Sequence, residues 1–247
     1  MTMNTEQQPS TVLLRGRISN LRKTRRSQDF FFTDADRAAM GATAIAAGLA
    51  GLGGAAVGLS GMAMDTTEEA DLLEFDLDGK SVKAWVWWSV FAEGDEVEVV
   101  AEHWGDSWQA FGIRRIADKI VALHPHCSRG RNAHYRAAFR IWWKVSITLV
   151  FSFIFLGLIL GFVKYGAETN WEGILIGLGI AGVASSLVYG IIALRIARKL
   201  MGFVRLAEGI FEGFGWKSVK DIDLPAITKK GKKPGDPGAL GVLYFRY

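Results

Sequence analysis

The sequence predicts an α+β membrane protein, in which a small β-barrel domain is interrupted by a Gly/Ala-rich helical insertion and followed by a transmembrane helical hairpin. Three observations predict this class. Two uncharged apolar segments occupy 145–163 and 174–194, strand-like sequence fills 65–128, and 41–64 carries no charge and consists mainly of small residues. Half of the 247 residues are hydrophobic, which is high for a soluble chain and typical of one with membrane segments.

The two apolar segments are each long enough to cross a bilayer. An α-helix rises about 1.5 Å per residue, so about 20 residues cover the roughly 30 Å of hydrocarbon. A buried helix of a soluble protein usually keeps a polar stripe, and neither segment has one. The sequence therefore predicts two spans, within a hairpin region that covers 129–199 with its basic flanks.

The charges around these spans predict how the hairpin is oriented. The loop at 164–173 carries one Lys and two Glu, whereas bases crowd the outer flanks. The topology-setting bases are Arg129, Arg131, Arg136, Arg140, Lys144, Arg195, Arg198 and Lys199. Because basic flanks stay in the cytoplasm, we expect a multi-pass bacterial inner-membrane protein with cytoplasmic N and C termini. Trp142 and Trp143 are expected at the inner membrane interface and Trp171 at the outer one.

The Gly/Ala-rich segment belongs to a predicted helical insertion at 39–64. If 41–64 crossed the membrane once, either the bases between 15 and 26 or those of the hairpin flanks would lie outside, against the charge rule. We therefore expect no net crossing, with a third true span as the alternative. The candidate helix-packing residues, a glycine-zipper pattern, are Ala46, Ala50, Gly54 and Gly58 on one face and Gly51 on the next. Their small side chains suit packing on the protein's own hairpin or oligomerisation.

Residues 11–38 and 65–128 are predicted to form a cytoplasmic β domain. Turn signals occur at Asp78-Gly79, Gly94-Asp95 and Gly105-Asp106, between runs rich in β-branched and aromatic residues. Four or five short strands, with two more from the N-terminal segment, predict an OB-like or SH3-like barrel. The stretch from Asp65 to Asp106 has thirteen acids and two lysines, so the N-terminal bases are expected to offset part of its charge.

The C-terminal part is predicted to contain an amphipathic helix at 200–216 and a basic tail at 217–247. Apolar residues recur at helical spacing in the first segment, so that helix is expected on the membrane or on the barrel. The second segment is a basic, turn-rich linker that ends in a candidate last strand, "VLYFRY".

No pattern in the chain predicts catalysis, a metal or a cofactor. His124, His126 and Cys127 are too close together to close a tetrahedral site, and no second ligand pair follows. "GLGGAA" at 51–56 fits a dinucleotide fingerprint but lacks the preceding strand that this motif needs. Glu93, Asp95, Glu96 and Glu98 are expected on the solvent face of a strand, because they alternate with valines. We expect a non-enzymatic protein.

Several motifs together resemble a family of bacterial proteins labelled as type VI secretion system effectors. They are "LRKTRR", "DRAAMGATAIAAGLAG", "SGMAM", "EEAD", "GDEVEVVAE" and "KIVALHPHCSRGR". The likeness covers roughly 11–135, while the hairpin and tail match in character only. The resemblance implies a role in interbacterial competition at the inner membrane and supplies no catalytic residues.

Three functions are consistent with these expectations. The first is an effector that acts on the membrane by helix insertion or oligomerisation; the family resemblance favours it. The second is an inner-membrane immunity protein that neutralises a pore-forming effector; the charge asymmetry, which suits a resident protein, favours it. The third is a membrane-anchored scaffold with a cytoplasmic β domain. The expected partners are the lipid bilayer, a cognate effector or immunity protein, and further copies of the chain, but no nucleic acid.

Overall fold

The computed structural model describes residues 11–30, 67–166 and 170–247, which divide into two units. The β unit contains the described residues up to His126 together with Leu224–Tyr247, and the helical unit is Cys127–Asp223. The predicted insertion at 39–64 lies entirely outside the described residues, and so do its candidate packing residues Ala46, Ala50, Gly51, Gly54 and Gly58.

The β unit contains seven strands and one helix. The strands are β1 (Val12–Asp29), β2 (Thr67–Leu77), β3 (Lys80–Val86), β4 (Glu96–Trp104), β5 (Ser107–Arg115), β6 (Ile120–Leu123) and β7 (Phe245–Arg246). The helix spans Leu224–Gly231 and is called α4, because three helices of the described residues precede it.

Five of these strands close into a barrel. β1 pairs antiparallel with both β2 and β4, β2 pairs with β3, and β4 pairs with β5. A parallel pairing of β3 with β5 completes the circle. Turns join β2 to β3 at Asp78-Gly79 and β4 to β5 at Gly105-Asp106, and the glycines there have positive φ angles, which glycine adopts without strain.

The N-terminal segment forms one long strand where the sequence predicts two. β1 has a register irregularity between Ser19 and Arg22, and Asn20 adopts a φ of 54°. The carboxylate of Glu93 accepts hydrogen bonds from the backbone N–H groups of Asn20 and Leu21, both at 2.9 Å. A bulge bends a strand without ending it. β1 therefore pairs with two neighbours, with β4 along residues 12–17 and with β2 from Ile18 onward, and the bulge lies within the pairing with β2.

The barrel interior is apolar, and most of its inward side chains are fully buried. Its larger members include Ile18, Leu73, Phe75, Leu77, Val82, Val97 and Ile113. Burial of one such side chain stabilises a fold by about 1.5–3 kcal/mol. These residues alternate along their strands with polar ones, as expected for a barrel whose outer surface faces solvent.

The carboxylates of β4 do not share one solvent-facing surface, which corrects the prediction for them. Glu96 is exposed, but Glu98 is buried and forms ion pairs with Arg15 of β1 and Arg114 of β5. Asp95 pairs with Arg115. Glu98 is buried despite its alternation with valines, because arginines from both neighbouring strands pair with its carboxylate.

Bases of β1 pair with acids of β2, as the charge distribution predicts. The buried carboxylate of Asp71 lies 3.0 Å from Lys23 Nζ and 3.0 Å from Arg25 Nη1, and it also accepts the backbone N–H of Ser89 at 2.7 Å. A buried carboxylate is tolerated when charged and neutral donors satisfy it in this way. The pairing joins β1, β2 and the segment after β3.

The helical unit contains three helices and a short 3₁₀ turn. The helices are α1 (Arg131–Tyr165), α2 (Trp171–Lys199) and α3 (Met201–Gly213), and the 3₁₀ turn is Val219–Asp221. α3 matches the amphipathic helix predicted at 200–216, and its apolar residues Val204, Ala207, Ile210 and Phe211 are buried.

The region predicted as a basic tail, 217–247, contains regular structure. Its first residues form the 3₁₀ turn of the helical unit, whereas α4 and β7 belong to the β unit. β7 pairs with β6, and Leu224 of α4 is fully buried. This structure depends on pairing with residues distant in sequence. The segment's own content of Lys, Gly and Pro therefore does not predict it.

Candidate membrane-spanning hairpin and its polar base

α1 and α2 form an antiparallel hairpin whose outer surface is apolar. Their most apolar stretches have mean hydropathies of 2.5 and 2.0, and only 11% and 6% of those residues are buried. Phe151, Val163 and Ile180 are among the large side chains that face outward. A core helix of a soluble protein would bury such residues. Both helices are long and apolar enough to span a membrane.

The two helices approach closely where glycines face large side chains. A Cβ atom at Gly157 would lie 2.6 Å from Leu178 Cδ1, and one at Gly182 would lie 3.2 Å from Val150 Cγ2. Helices in lipid associate through such small residues, since the solvent supplies no hydrophobic force between them. As residue numbers rise along α1, those of the contacting residues on α2 fall, so the two helices are antiparallel.

Two of the three predicted interface tryptophans pack across this hairpin. The indole N–H of Trp142 donates to the carbonyl oxygen of Ser186 at 3.0 Å, and its ring lies over Gly190. Trp171 lies over Gly161. Trp143 instead is 53% exposed. Sequence position alone does not separate a tryptophan that locks two helices together from one that faces outward.

The glycines and the serine of this helix interface were missed by the sequence analysis. Gly157 and Gly161 stand four residues apart on α1, and Gly182, Ser186 and Gly190 stand four apart on α2. The four-residue spacing of small residues was present inside the two spans, as it was in 41–64. It was the signal that would have identified the packing face of the hairpin.

A set of ion pairs joins the start of α1 to the chain that follows α2. Arg129 Nε and Arg140 Nη2 lie 3.0 Å and 3.3 Å from Asp223, and Arg136 Nη1 lies 2.9 Å from Asp221. The carboxylate of Glu208 accepts the backbone N–H of Arg131 at 2.8 Å. We call this set the polar base. It brings both predicted cytoplasmic flanks to the same end of the hairpin.

The polar base offsets part of the predicted positive charge. Arg129, Arg131, Arg136 and Arg140 pair with acids that follow α2, whereas Lys144, Arg195, Arg198 and Lys199 are exposed. These acids lie beyond the second span, so the bases next to the spans alone overstate the positive charge of the flanks. The hydrogen bond from Arg136, with a second from Asn132, lowers the pKa of Asp221, so its charge persists in mildly acidic solution.

Backbone packing at the polar base is close. Gly130 caps α1, and its N–H donates to the carbonyl oxygen of Ile222 at 2.9 Å. A Cβ atom at this position would lie 2.0 Å from the carbonyl oxygen of Val219. His134 Nε2 lies 3.1 Å from the carbonyl oxygen of Ala197, which adds a contact between α1 and α2.

The possible metal ligands His124, His126 and Cys127 do not form a metal site among the residues that the structure describes. His126 Nε2 lies 2.7 Å from Glu68 Oε2, and burial lowers the pKa of His124. Burial also raises the pKa of the Cys127 thiol. Within the ranges 11–30, 67–166 and 170–247, no three His, Cys, Asp or Glu side chains form a group able to hold a metal ion.

Comparison of the chain with protein-family models, curated proteins and solved structures gives no match.

Proposed function

We propose that α1 and α2 span the bacterial inner membrane and that the protein acts there, without catalysis, as a type VI secretion system effector that inserts or oligomerises. The exposed apolar surface of the hairpin, which ends at the polar base, carries the membrane part of the proposal. The effector part rests on the motifs within 11–135 that resemble that family.

The proposed topology places both chain termini in the cytoplasm. Two observations support it: the polar base collects both flanks of the hairpin at one end, and the exposed bases Lys144, Arg195 and Arg198 belong to those flanks. Basic segments next to spans remain on the cytoplasmic side. The connection between the helices, near Asn170, then faces the periplasm.

The barrel is proposed to be of the OB type rather than the SH3 type. Its cyclic strand order is β1-β2-β3-β5-β4 and back to β1, with β3 parallel to β5. A five-stranded Greek-key barrel is the OB arrangement. The proposal carries no ligand with it, since a fold of this kind serves many functions.

Oligomerisation is proposed to use the outer face of α2. Gly173, Gly177 and Ala181 are exposed and four residues apart, and a Cβ atom at Gly177 would meet nothing within 4 Å. This face therefore accepts a further helix at close range. The same face would let an inner-membrane immunity protein hold a helix of a pore-forming effector, which is the second candidate function.

Expression in a bacterium that lacks related systems distinguishes these functions. The full chain is expressed with and without export to the periplasm, and the membrane potential is recorded. Depolarisation supports the effector. Harmless expression that protects against a co-produced pore-forming effector supports immunity. If neither is observed, the remaining candidate is the membrane-anchored scaffold.

Variants of α2 test the oligomerisation step. Gly177→Leu should abolish depolarisation and leave membrane insertion intact, because it fills the open small-residue face. Val183→Leu, at another exposed position of the same helix, is the matched control. Depolarisation that survives Gly177→Leu would remove this face from the mechanism.

A further inference from the structure

The C-terminal segment of the β unit carries a concentrated positive charge. Residues 224–247 contain five bases and one acid, and four of the bases are Lys229, Lys230, Lys232 and Lys233. Its composition alone predicts a linker. In the structure, Lys229 and Lys230 lie on α4 of the β unit, and Lys232 and Lys233 follow it directly.

α4 is anchored by one face, and its lysines project from another. Leu224 and Thr228 are fully buried, and the Thr228 hydroxyl accepts the backbone N–H of Arg246 in β7 at 2.9 Å. At 3.6 residues per turn, Lys229 and Lys230 lie on the side of the helix away from this anchor. Both are exposed, as is Lys233 after the helix.

The single acid of the segment is already engaged. Asp236 pairs with Arg246 at 3.2 Å and accepts the backbone N–H of Lys233 at 2.8 Å. The side chains of Lys229, Lys230 and Lys233 have no ion pair within the part of the chain that the structure describes. Their charge is therefore not cancelled by neighbouring carboxylates.

Two exposed aliphatic side chains lie on α4 and on the loop beside it. Ile227 is 44% exposed on α4 and Val242 is 65% exposed. A Cβ atom at Gly241 would lie 3.3 Å from Thr228 Cγ2, so the loop that carries Val242 runs beside α4. Lysines next to aliphatic side chains are typical of surfaces that rest on a bilayer.

We infer that this surface, formed by Ile227, Lys229, Lys230, Lys233 and Val242 and called the lysine surface, binds anionic phospholipid headgroups. The inference rests on the proposed function, in which the same chain spans a bilayer. Lysines held near an anionic membrane are attracted by its surface potential. A surface for single-stranded nucleic acid would offer aromatic rings for base stacking, whereas the exposed apolar members here are aliphatic.

The test uses the full chain in lipid nanodiscs of two compositions, pure phosphatidylcholine and a mixture with phosphatidylglycerol. An amine-reactive reagent labels exposed lysines, and mass spectrometry measures the labelling rate at each one. Lys229, Lys230 and Lys233 should react at least about five-fold more slowly in the anionic discs than in the phosphatidylcholine discs. Lys80 and Lys83, also in the β unit, are internal controls whose rates should not change. About 1 M salt should remove the difference, because it shortens the screening length to about 3 Å.

A pair of double variants separates the lysine surface from general charge. K229Q/K230Q should reduce the protection of Lys233 in anionic discs, whereas K80Q/K83Q should not. Equal labelling of Lys233 in both lipids would overturn the inference while incorporation into the discs still supports the proposed function. A chain that does not enter discs at all would refute the proposed function instead. Protection by added single-stranded DNA, with none by phosphatidylglycerol, would also overturn the lipid assignment.

Discussion

The β unit and the helical unit differ in where they place their apolar and charged side chains. The barrel turns its large apolar residues inward and pairs even its buried acids, Asp71 and Glu98, with bases. The α1–α2 hairpin turns large apolar residues outward along its length and collects its ion pairs at one end. The first pattern is typical of a fold that is stable in water, and the second is typical of helices that lie in hydrocarbon.

The two units are also interleaved along the chain. The chain leaves the β unit after His126 and returns at Leu224, and β7 then pairs with β6 through Val121 and Phe245. The β unit is therefore completed by residues that follow the hairpin in sequence. Both ends of the hairpin region lead into the same β unit.

The largest effect is expected from breaking the buried charges of the barrel. Glu98→Ala would leave Arg114, which is 13% exposed, beside an empty site. Removal of one partner from a buried pair costs about 3 kcal/mol, the lower end of the usual range, because Arg15 is exposed and can rehydrate. Hydrogen exchange of the β4 and β5 amides, measured in detergent micelles, gives the free energy of opening.

The matched control for Glu98 is Glu96, two residues earlier on β4 and exposed. Glu96→Ala should change the same exchange rates by less than about 0.5 kcal/mol, as is usual for surface substitutions. Equal effects of the two variants would contradict the contrast between a barrel with internal charges and a hairpin with charges only at its base.

The sequence predicted the features of both units that depend on nearby residues. The turns at Asp78-Gly79 and Gly105-Asp106 follow from glycine, and the two long apolar helices follow from their composition. Features that depend on distant residues were not predicted. The burial of Glu98 requires Arg114, sixteen residues later, and Arg15 on β1. The parallel pairing of β3 with β5 has no local signal in the sequence.

The same limit applies to the candidate hairpin. Its basic flanks were identified from sequence, but the acids that pair with them, such as Asp221 and Asp223, lie beyond the second span. The predicted residues in 39–64 lie outside the described part of the chain, so their packing role stays a prediction. Trp142 and Trp171, which are predicted at the membrane interface, make contacts across the hairpin that only the pairing of the helices reveals.

A smaller effect is expected from disturbing the polar base. Gly130→Ala would push a methyl group against the carbonyl oxygen of Val219, which belongs to the backbone and cannot rotate away. Such overpacking costs about 1–3 kcal/mol. Gly202→Ala on α3, where a Cβ atom meets nothing within 4 Å, is the control and should be neutral or slightly stabilising.

Labelling of Cys127 measures this effect, because its thiol is buried in the helical unit and burial raises its pKa. The thiol should react with a maleimide only when the unit opens. Gly130→Ala should therefore accelerate labelling by roughly ten-fold to one-hundred-fold, and Gly202→Ala should not. Equal labelling of the two variants would mean that the polar base does not hold α1 in place.

The smallest effect is expected inside the apolar hairpin, where a single hydrogen bond can be removed. Trp142→Phe deletes the N–H that donates to Ser186 and keeps an aromatic ring over Gly190. Interhelical hydrogen bonds in membranes contribute about 0.6 kcal/mol on average, because the separated helices find other partners. The adjacent Trp143→Phe, at an exposed ring, is the control. Thermal unfolding in micelles should separate the two variants slightly, and a loss for Trp142→Phe as large as that for Glu98→Ala would contradict a hairpin held mainly by close packing.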